Sequence, residues 1–290
     1  MNEIRLKAHA KINLGLDVLR RREDGYHEVK MVMQSLSLHD EIRIRKSRRP
    51  GIRISCDHAG VPTDGRNLVY KAAALLMEEF SITEGVDLMI RKRIPMAAGM
   101  AGGSSDGAAT LVGINQLFQL GLSQKELMER GVTLGADIPF CIMRGTALSE
   151  GIGEILTKLP GMPSCYIVVA KPPIDVSTKF VYTNLKLNEL TDHPDIDGMV
   201  EALDRKDLEG ITTRLANVLE TVTLPAYPVI TELKDIMKTE GAQGSLMTGS
   251  GSTVFGIFTD EAKAKHCAYK ILSKCYTKEC FVTTPYSPAQ

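Results

Sequence analysis

Pro95-Met96-Ala97-Ala98-Gly99-Met100-Ala101-Gly102-Gly103-Ser104-Ser105 runs directly into the helix-forming stretch DGAATLVGINQLF at 106–118, and this junction decides how the chain is read. Small residues let backbone N–H groups come close to an anion, and the first turn of a helix presents unpaired N–H groups to the same place. The stretch therefore reads as a phosphate-binding loop, residues 95–105, abutting a helix. A flexible surface loop is the plain alternative, but it would need neither so long a run of small residues nor a helix start beside it. No Gly-Lys-Ser/Thr follows, which argues against a Walker loop, and Ala101 occupies the second glycine position of a Gly-x-Gly-x-x-Gly fingerprint, which argues against a Rossmann dehydrogenase. Ser104 and Ser105 fall at the helix start, where one would cap it and the other reach a phosphate or its magnesium; both could equally be capping or loop serines.

Upstream of the loop, Ile4 to Val18 alternates apolar residues with period two, so Lys11, Asn13 and Asp17 share the opposite face of one strand. Strands are expected at 30–38, 41–44, 51–55 and 86–90, with a helix over 67–80. Most polar residues on such a strand face are simply solvated, so Lys11 and Asn13 gain meaning only from the other motifs. Between them and the loop, Asp24-Gly-Tyr26-His27 sets an aromatic ring and an imidazole after a turn glycine. Such a ring can stack on a nucleobase, or the segment can be an exposed loop.

Downstream, Ser123 and Glu126 form a capping-box pattern that opens a helix to about residue 134. Asp137, in Leu-Gly-Ala-Asp-Ile-Pro-Phe, is expected in a turn, because Pro139 disfavours helix at Ile138. It is either a rigidly held carboxylate or a helix cap. A strand pair follows at 145–159, and the Pro and Gly cluster at 159–163 marks the expected domain boundary, giving domains 1–159 and 160–290. Helices are expected at 177–184, 198–203, 208–220, 229–240 and 260–274. Met247-Thr-Gly-Ser-Gly-Ser-Thr253 is a glycine turn between apolar strands, sufficient for a hairpin and also suited to closing over a ligand.

Length and composition agree with two ordinary cores: 290 residues, 43% hydrophobic and 24% charged. Lys plus Arg and Asp plus Glu are balanced at 35 each, so no global field favours nucleic acid or a membrane surface. The six cysteines lack a Cys-x-x-Cys pair and zinc-ligand spacing, and no apolar run approaches the ~20 residues of a bilayer span. A cytoplasmic protein with free thiols is expected.

Four segments, AKINLGLDV with DGYHEV, PMAAGMAGGSSDGAATL, LGADIPF and MTGSGSTVF, occur in the order in which the GHMP small-molecule kinases carry them, and the chain resembles that family over most of its length. The resemblance implies an α+β, two-domain architecture: a mixed α/β nucleotide-binding domain and a smaller α/β sandwich domain that binds the substrate. It also implies ATP as phosphate donor, with Mg2+, and a small-molecule hydroxyl as acceptor. By that resemblance Asp137 takes the hydroxyl proton and Lys11 orients the acceptor. Asn13, Tyr26, His27 and Tyr182 hold the substrate, the last three around a cytosine, and Asn67 lies near the adenine. No protein ligand for the magnesium is assigned. The reading requires folding to bring Lys11 and Asp137 together at the loop. Ala97 and Ala101 stand where the family commonly has glycine, Met100 where it has leucine and Ser252 where it has proline; the methyl of Ala101 is expected to narrow the approach to phosphate. A homoserine or mevalonate type of acceptor, or a silent nucleotide and sugar sensor, are the competing readings.

Overall fold

The computed structural model describes residues 1–288, so the last two positions of the expected second domain lie outside the described residues. The chain forms two compact units that are not contiguous in sequence: Met1–Ala10, Leu38–Met96 and Ala101–Arg144 make the first, and Lys11–Ser37, Ala97–Met100 and everything from Gly145 onward make the second. Two long strands, β1 (Glu3–Arg21) and β2 (His27–Ser47), contribute one end to each.

In the first unit the sheet runs in the order β3 (Ile52–Cys56), β4 (Gly85–Arg91), β2, β1. β3 and β4 are parallel and joined by α1 (Leu68–Glu79), whereas β2 and β4 are antiparallel with Ile42 opposite Ile90 and Ile44 opposite Leu88. Alternation sends Ile42, Ile44, Leu88 and Ile90 to one face, where they pack under α1, α2 (Gly102–Phe118), α3 (Gln124–Gly131) and α4 (Ile138–Met143). The intervening residues point outward and form ion pairs such as Arg53 with Asp87 at 2.6 Å and Arg45 with Asp87 at 3.1 Å. Asn67 caps α1, its Oδ1 accepting from the Val69 N–H at 2.9 Å, and the Ser123–Glu126 capping box forms as the sequence pattern requires.

The second unit carries the other ends of β1 and β2. β5 (Thr146–Glu150) is antiparallel to β2 and to β6 (Ile155–Leu159), and the two-residue β8 (Ala216–Asn217) is parallel to β1. A separate antiparallel sheet is ordered β11 (Glu279–Thr283), β7 (Tyr166–Lys171), β10 (Val254–Phe258), β9 (Gly244–Met247). Every residue of β10 is buried, which is why its sequence shows no alternation. The helices of this unit are α5 (Thr178–Asn184), α6 (Ile196–Asp204), α7 (Leu208–Thr212), α8 (Glu220–Ala226), α9 (Val229–Thr239) and α10 (Glu261–Ser273). No helix among the described residues is long and apolar enough to cross a membrane.

Four local expectations are corrected. The strands expected at 30–38 and 41–44 are one continuous β2, because Asp40, which reads as a break, is fully buried and its carboxylate accepts the Arg93 and Ile94 N–H groups. Ile138 begins α4 rather than a turn, with Pro139 in the first helical turn, where a missing N–H costs nothing. The helix expected over 208–220 stops at Thr212. Asn217 instead enters β8, its Nδ2 donating at 2.8 Å to both Met247 O and Gly249 O while its Oδ1 accepts from the Leu219 N–H. Finally, the polar face of β1 is not solvated: Lys11, Asn13 and Asp17 are all buried.

Candidate active site

The loop of residues 95–105 enters α2 through a backbone that is left-handed at every second position: φ is +49° at Ala97, +69° at Gly99 and +56° at Ala101. Ala101 is the N-cap residue and supplies no side-chain hydrogen bond. The N–H groups of Gly102, Gly103 and Ser104 therefore have neither a helical carbonyl nor a capping oxygen, the arrangement that suits an anion, at the positive end of a 17-residue helix. Left-handed geometry costs an alanine roughly 1–2 kcal/mol, the reason glycine suits positions 97 and 101 better. The Ala101 methyl packs against the core of the first unit. Met100 is likewise buried.

Ser105 is buried, its hydroxyl donating to His9 O and lying 3.2 Å from Cys141 Sγ. It is spent on the protein, and neither serine caps the helix, contrary to the alternative left open by the sequence. Ser104, half-buried one residue earlier, makes no hydrogen bond with its side chain among the described residues. Asp137 occupies the N-cap position of α4 without using its carboxylate as a cap, which removes the purely structural reading of that residue. Asn67, by contrast, uses both ends of its amide on the protein: Oδ1 caps α1 and Nδ2 donates to Pro62 O at 2.6 Å.

In the second unit, Ala97–Met100 lies against the 247–253 turn. A Cβ on Gly99 would fall 2.4 Å from Thr248 O, so only glycine permits this approach. The Lys11 N–H donates to Met100 O at 3.2 Å, fastening the loop to β1. Period-two spacing sets Lys11 and Asn13 side by side, and Lys11 Nζ donates to Asn13 Oδ1 at 2.8 Å. That same oxygen accepts from the Gly249 N–H at 3.1 Å and the Thr248 hydroxyl at 3.3 Å, while the Asn13 N–H donates to Thr248 Oγ1 at 3.1 Å. Asn13 is fully buried, so what it visibly does is hold Lys11 to the glycine turn.

Farther along the same unit, His27 and Tyr182 face each other with ring centroids 5.0 Å apart and planes tilted by 39°. Burial first, and the nearby Arg21 charge second, hold the His27 imidazole below its ordinary value. Tyr26 is 59% exposed, an uncommon position for a large ring that leaves its face available. Asp17 and His193, which the sequence reading did not connect, also meet here: His193 Nδ1 lies 2.9 Å from both carboxylate oxygens. Only the burial of Asp17, hidden in a seemingly polar strand face, would have signalled it.

Two halves of this geometry, an uncapped helix start fed by a left-handed loop and a lysine anchored to a second glycine turn, are built on a fold whose class the comparisons define. The GHMP kinases N terminal domain model matches residues 67–145, and the GHMP kinases C terminal model matches 199–277. The proteins called 4-diphosphocytidyl-2-C-methyl-D-erythritol kinase in Acetivibrio thermocellus and Lachnoclostridium phytofermentans are 52% and 50% identical to this chain; each alignment covers 98% of it, and 99% and 97% of the respective relatives. The chain belongs to that family of GHMP kinases. A crystal structure of 4-(cytidine 5'-diphospho)-2C-methyl-D-erythritol kinase superposes with a TM-score of 0.84 at 31% identity, covering 98% of this chain and 100% of that one. A homoserine kinase from Cytophaga hutchinsonii shares the fold, with a TM-score of 0.79 at 20% identity over 99% of this chain and 95% of its own.

Proposed function

We propose that this chain transfers the terminal phosphoryl group of ATP to the 2-hydroxyl of 4-diphosphocytidyl-2-C-methyl-D-erythritol, a step of the non-mevalonate route to isoprenoid precursors. The observation that carries the donor half is the left-handed loop opening onto the uncapped start of α2. The acceptor is supported by full-length relatives of that name and by the His27–Tyr182 ring pair beside exposed Tyr26, a surface suited to a cytosine.

Phosphoryl transfer asks a protein mainly for positioning and charge stabilisation. The N–H groups of Gly102, Gly103 and Ser104 bind the ATP phosphates, and no protein ligand is assigned to Mg2+. When bound, the ion would be held chiefly by phosphate oxygens and water and would supply neutralising charge to the transferring group. Asp137 accepts the hydroxyl proton as the bond to phosphorus forms, and Lys11, steadied by Asn13, orients the acceptor oxygen. A boundary between two family modules near residue 160 is part of this reading; the matched family segments, 67–145 and 199–277, fall on either side of it, and limited proteolysis between 159 and 163 tests it. No disulfide joins cysteines among the described residues, which supports a reducing, cytoplasmic location.

Transfer of labelled phosphate from ATP to 4-diphosphocytidyl-2-C-methyl-D-erythritol, with homoserine and mevalonate as rival acceptors, decides the reading. Labelling of the cytidine-bearing alcohol alone is expected. Preference for either rival would overturn the acceptor, and nucleotide binding without transfer to any of them would identify a silent sensor.

A further inference from the structure

Under the two ends of the phosphate loop, within the first unit, three charged side chains are buried together. Lys92 stands three residues before Pro95, Asp106 one residue after Ser105, and Asp40 in the middle of β2; their side chains are 6%, 4% and 0% exposed. Lys92 Nζ pairs with Asp40 Oδ2 and, at 2.9 Å, with Asp106 Oδ2. The other oxygen of Asp40 accepts the N–H groups of Arg93 and Ile94, the last residues before the loop. A Cβ on Gly102 would lie 3.2 Å from Lys92 Nζ, so the ammonium also rests against the first residue of α2. The Lys92–Asp106 pair thus closes residues 93–105 into a ring, and Asp40 grips its leading edge.

Buried ion pairs seldom raise stability over apolar packing, since desolvation offsets attraction. What such a cluster gives is fixed geometry, here at the loop the ATP reading needs. Two carboxyls face one ammonium, and Asp106 Oδ1 is buried without a hydrogen-bond partner. A proton on Asp106 removes that excess charge. We propose that Lys92, Asp40 and Asp106 form a clasp that fixes both ends of the phosphate loop for ATP, with Asp106 protonated in the working state. They are positioning residues, and the proposal rests on the reading of residues 95–105 as the ATP-phosphate loop.

Burial first, and then the facing Asp40 against the opposing pull of Lys92, push the Asp106 carboxyl up to about 8. From the end of β3 the cluster is also faced by the Cys56 thiol, itself pushed up by burial, and by Asp57, whose Oδ1 accepts the Lys92 N–H at 2.9 Å. Ionisation of Asp106 adds a negative charge within the first turns of α2, opposing the helix field that attracts phosphate.

The test is the KM for ATP and kcat of the full chain from about pH 6.5 to about pH 9.5. Wild type is expected to show a KM for ATP that rises about tenfold toward the alkaline end with kcat nearly level. Asp106→Asn cannot ionise; its KM is expected to be about threefold raised at neutral pH and independent of pH. Lys92→Met, if it folds, raises that KM by about tenfold or more throughout; if it does not, the Asp106→Asn profile decides alone. Gly103→Val is the control on the loop. A side chain has room there, the nearest group being Leu68 Cδ1 at 3.9 Å, and it would crowd a bound phosphate. A Gly103→Val enzyme that binds ATP normally refutes the loop reading itself. Impaired Gly103→Val together with parallel wild-type and Asp106→Asn profiles refutes the clasp alone.

Discussion

Asn13→Ala removes one oxygen on which three donors converge: Lys11 Nζ at 2.8 Å, the Gly249 N–H at 3.1 Å and the Thr248 hydroxyl at 3.3 Å. A hydrogen bond to a charged group is worth about 1.5–3 kcal/mol, and a buried backbone N–H left unpaired costs about 1–3 kcal/mol. The hydroxyl can turn to Gly99 O, 3.4 Å away, so it adds little. Allowing water to enter the space vacated by the amide, the loss should be about 2–4 kcal/mol, a fall in Tm on the order of 5–15 °C for a chain of this size. Lys11, freed from its anchor, no longer holds one position, and a displacement of about 1 Å at a reacting group costs on the order of 10²-fold in kcat. Asn13→Asp keeps the accepting oxygens and forfeits only the donor to Met31 Sδ, 3.2 Å away, so it should recover most of both losses. Thermal melts and steady-state kinetics on the three proteins are sufficient. An Asn13→Ala enzyme with unchanged Tm and kcat but a raised KM for the acceptor would refute the anchoring argument and make Asn13 a direct substrate ligand.

Asp137→Asn should leave ATP binding nearly intact and lower turnover by at least ~10²-fold, and wild-type turnover would remove Asp137 from proton transfer. In a double variant with Lys11→Met, effects that simply add would show that the two groups do not serve one hydroxyl. Tyr26→Ala, at an exposed position, should change stability by less than about 0.5 kcal/mol while raising the KM for the cytidine-bearing acceptor about tenfold and leaving that for ATP unmoved; equal effects on both would argue against a cytosine surface. The His27 imidazole should titrate below its ordinary value of about 6.5 by NMR, and Arg21→Ala should raise it only in part, because burial is the larger cause. Its neutral form is the one the fold favours, so the stability it contributes is present above that ordinary value and lost as pH falls through it. A full return to the ordinary value in Arg21→Ala would put the charge ahead of burial.

Much of this protein follows from spacing along the chain. Alternation through residues 4–18 sufficed for β1, the small residues of 95–105 for a loop that turns left-handed into α2, and Ser123 with Glu126 for the start of α3, because each depends on neighbours within a few positions. What only the tertiary structure decided is where polar groups find their partners. Asp40 continues a strand because Lys92 and the Arg93 and Ile94 N–H groups meet its charge. Asn217 ends a helical pattern because the carbonyls at 247 and 249 take its amide. Lys11 and Asn13, indistinguishable in sequence from solvated strand residues, are buried because a turn 235 positions beyond Asn13 accepts from and donates to Asn13, which in turn accepts from Lys11. Apolar periodicity is a local signal, whereas the cost of burying a polar group is settled only by whichever distant segment folding sets against it.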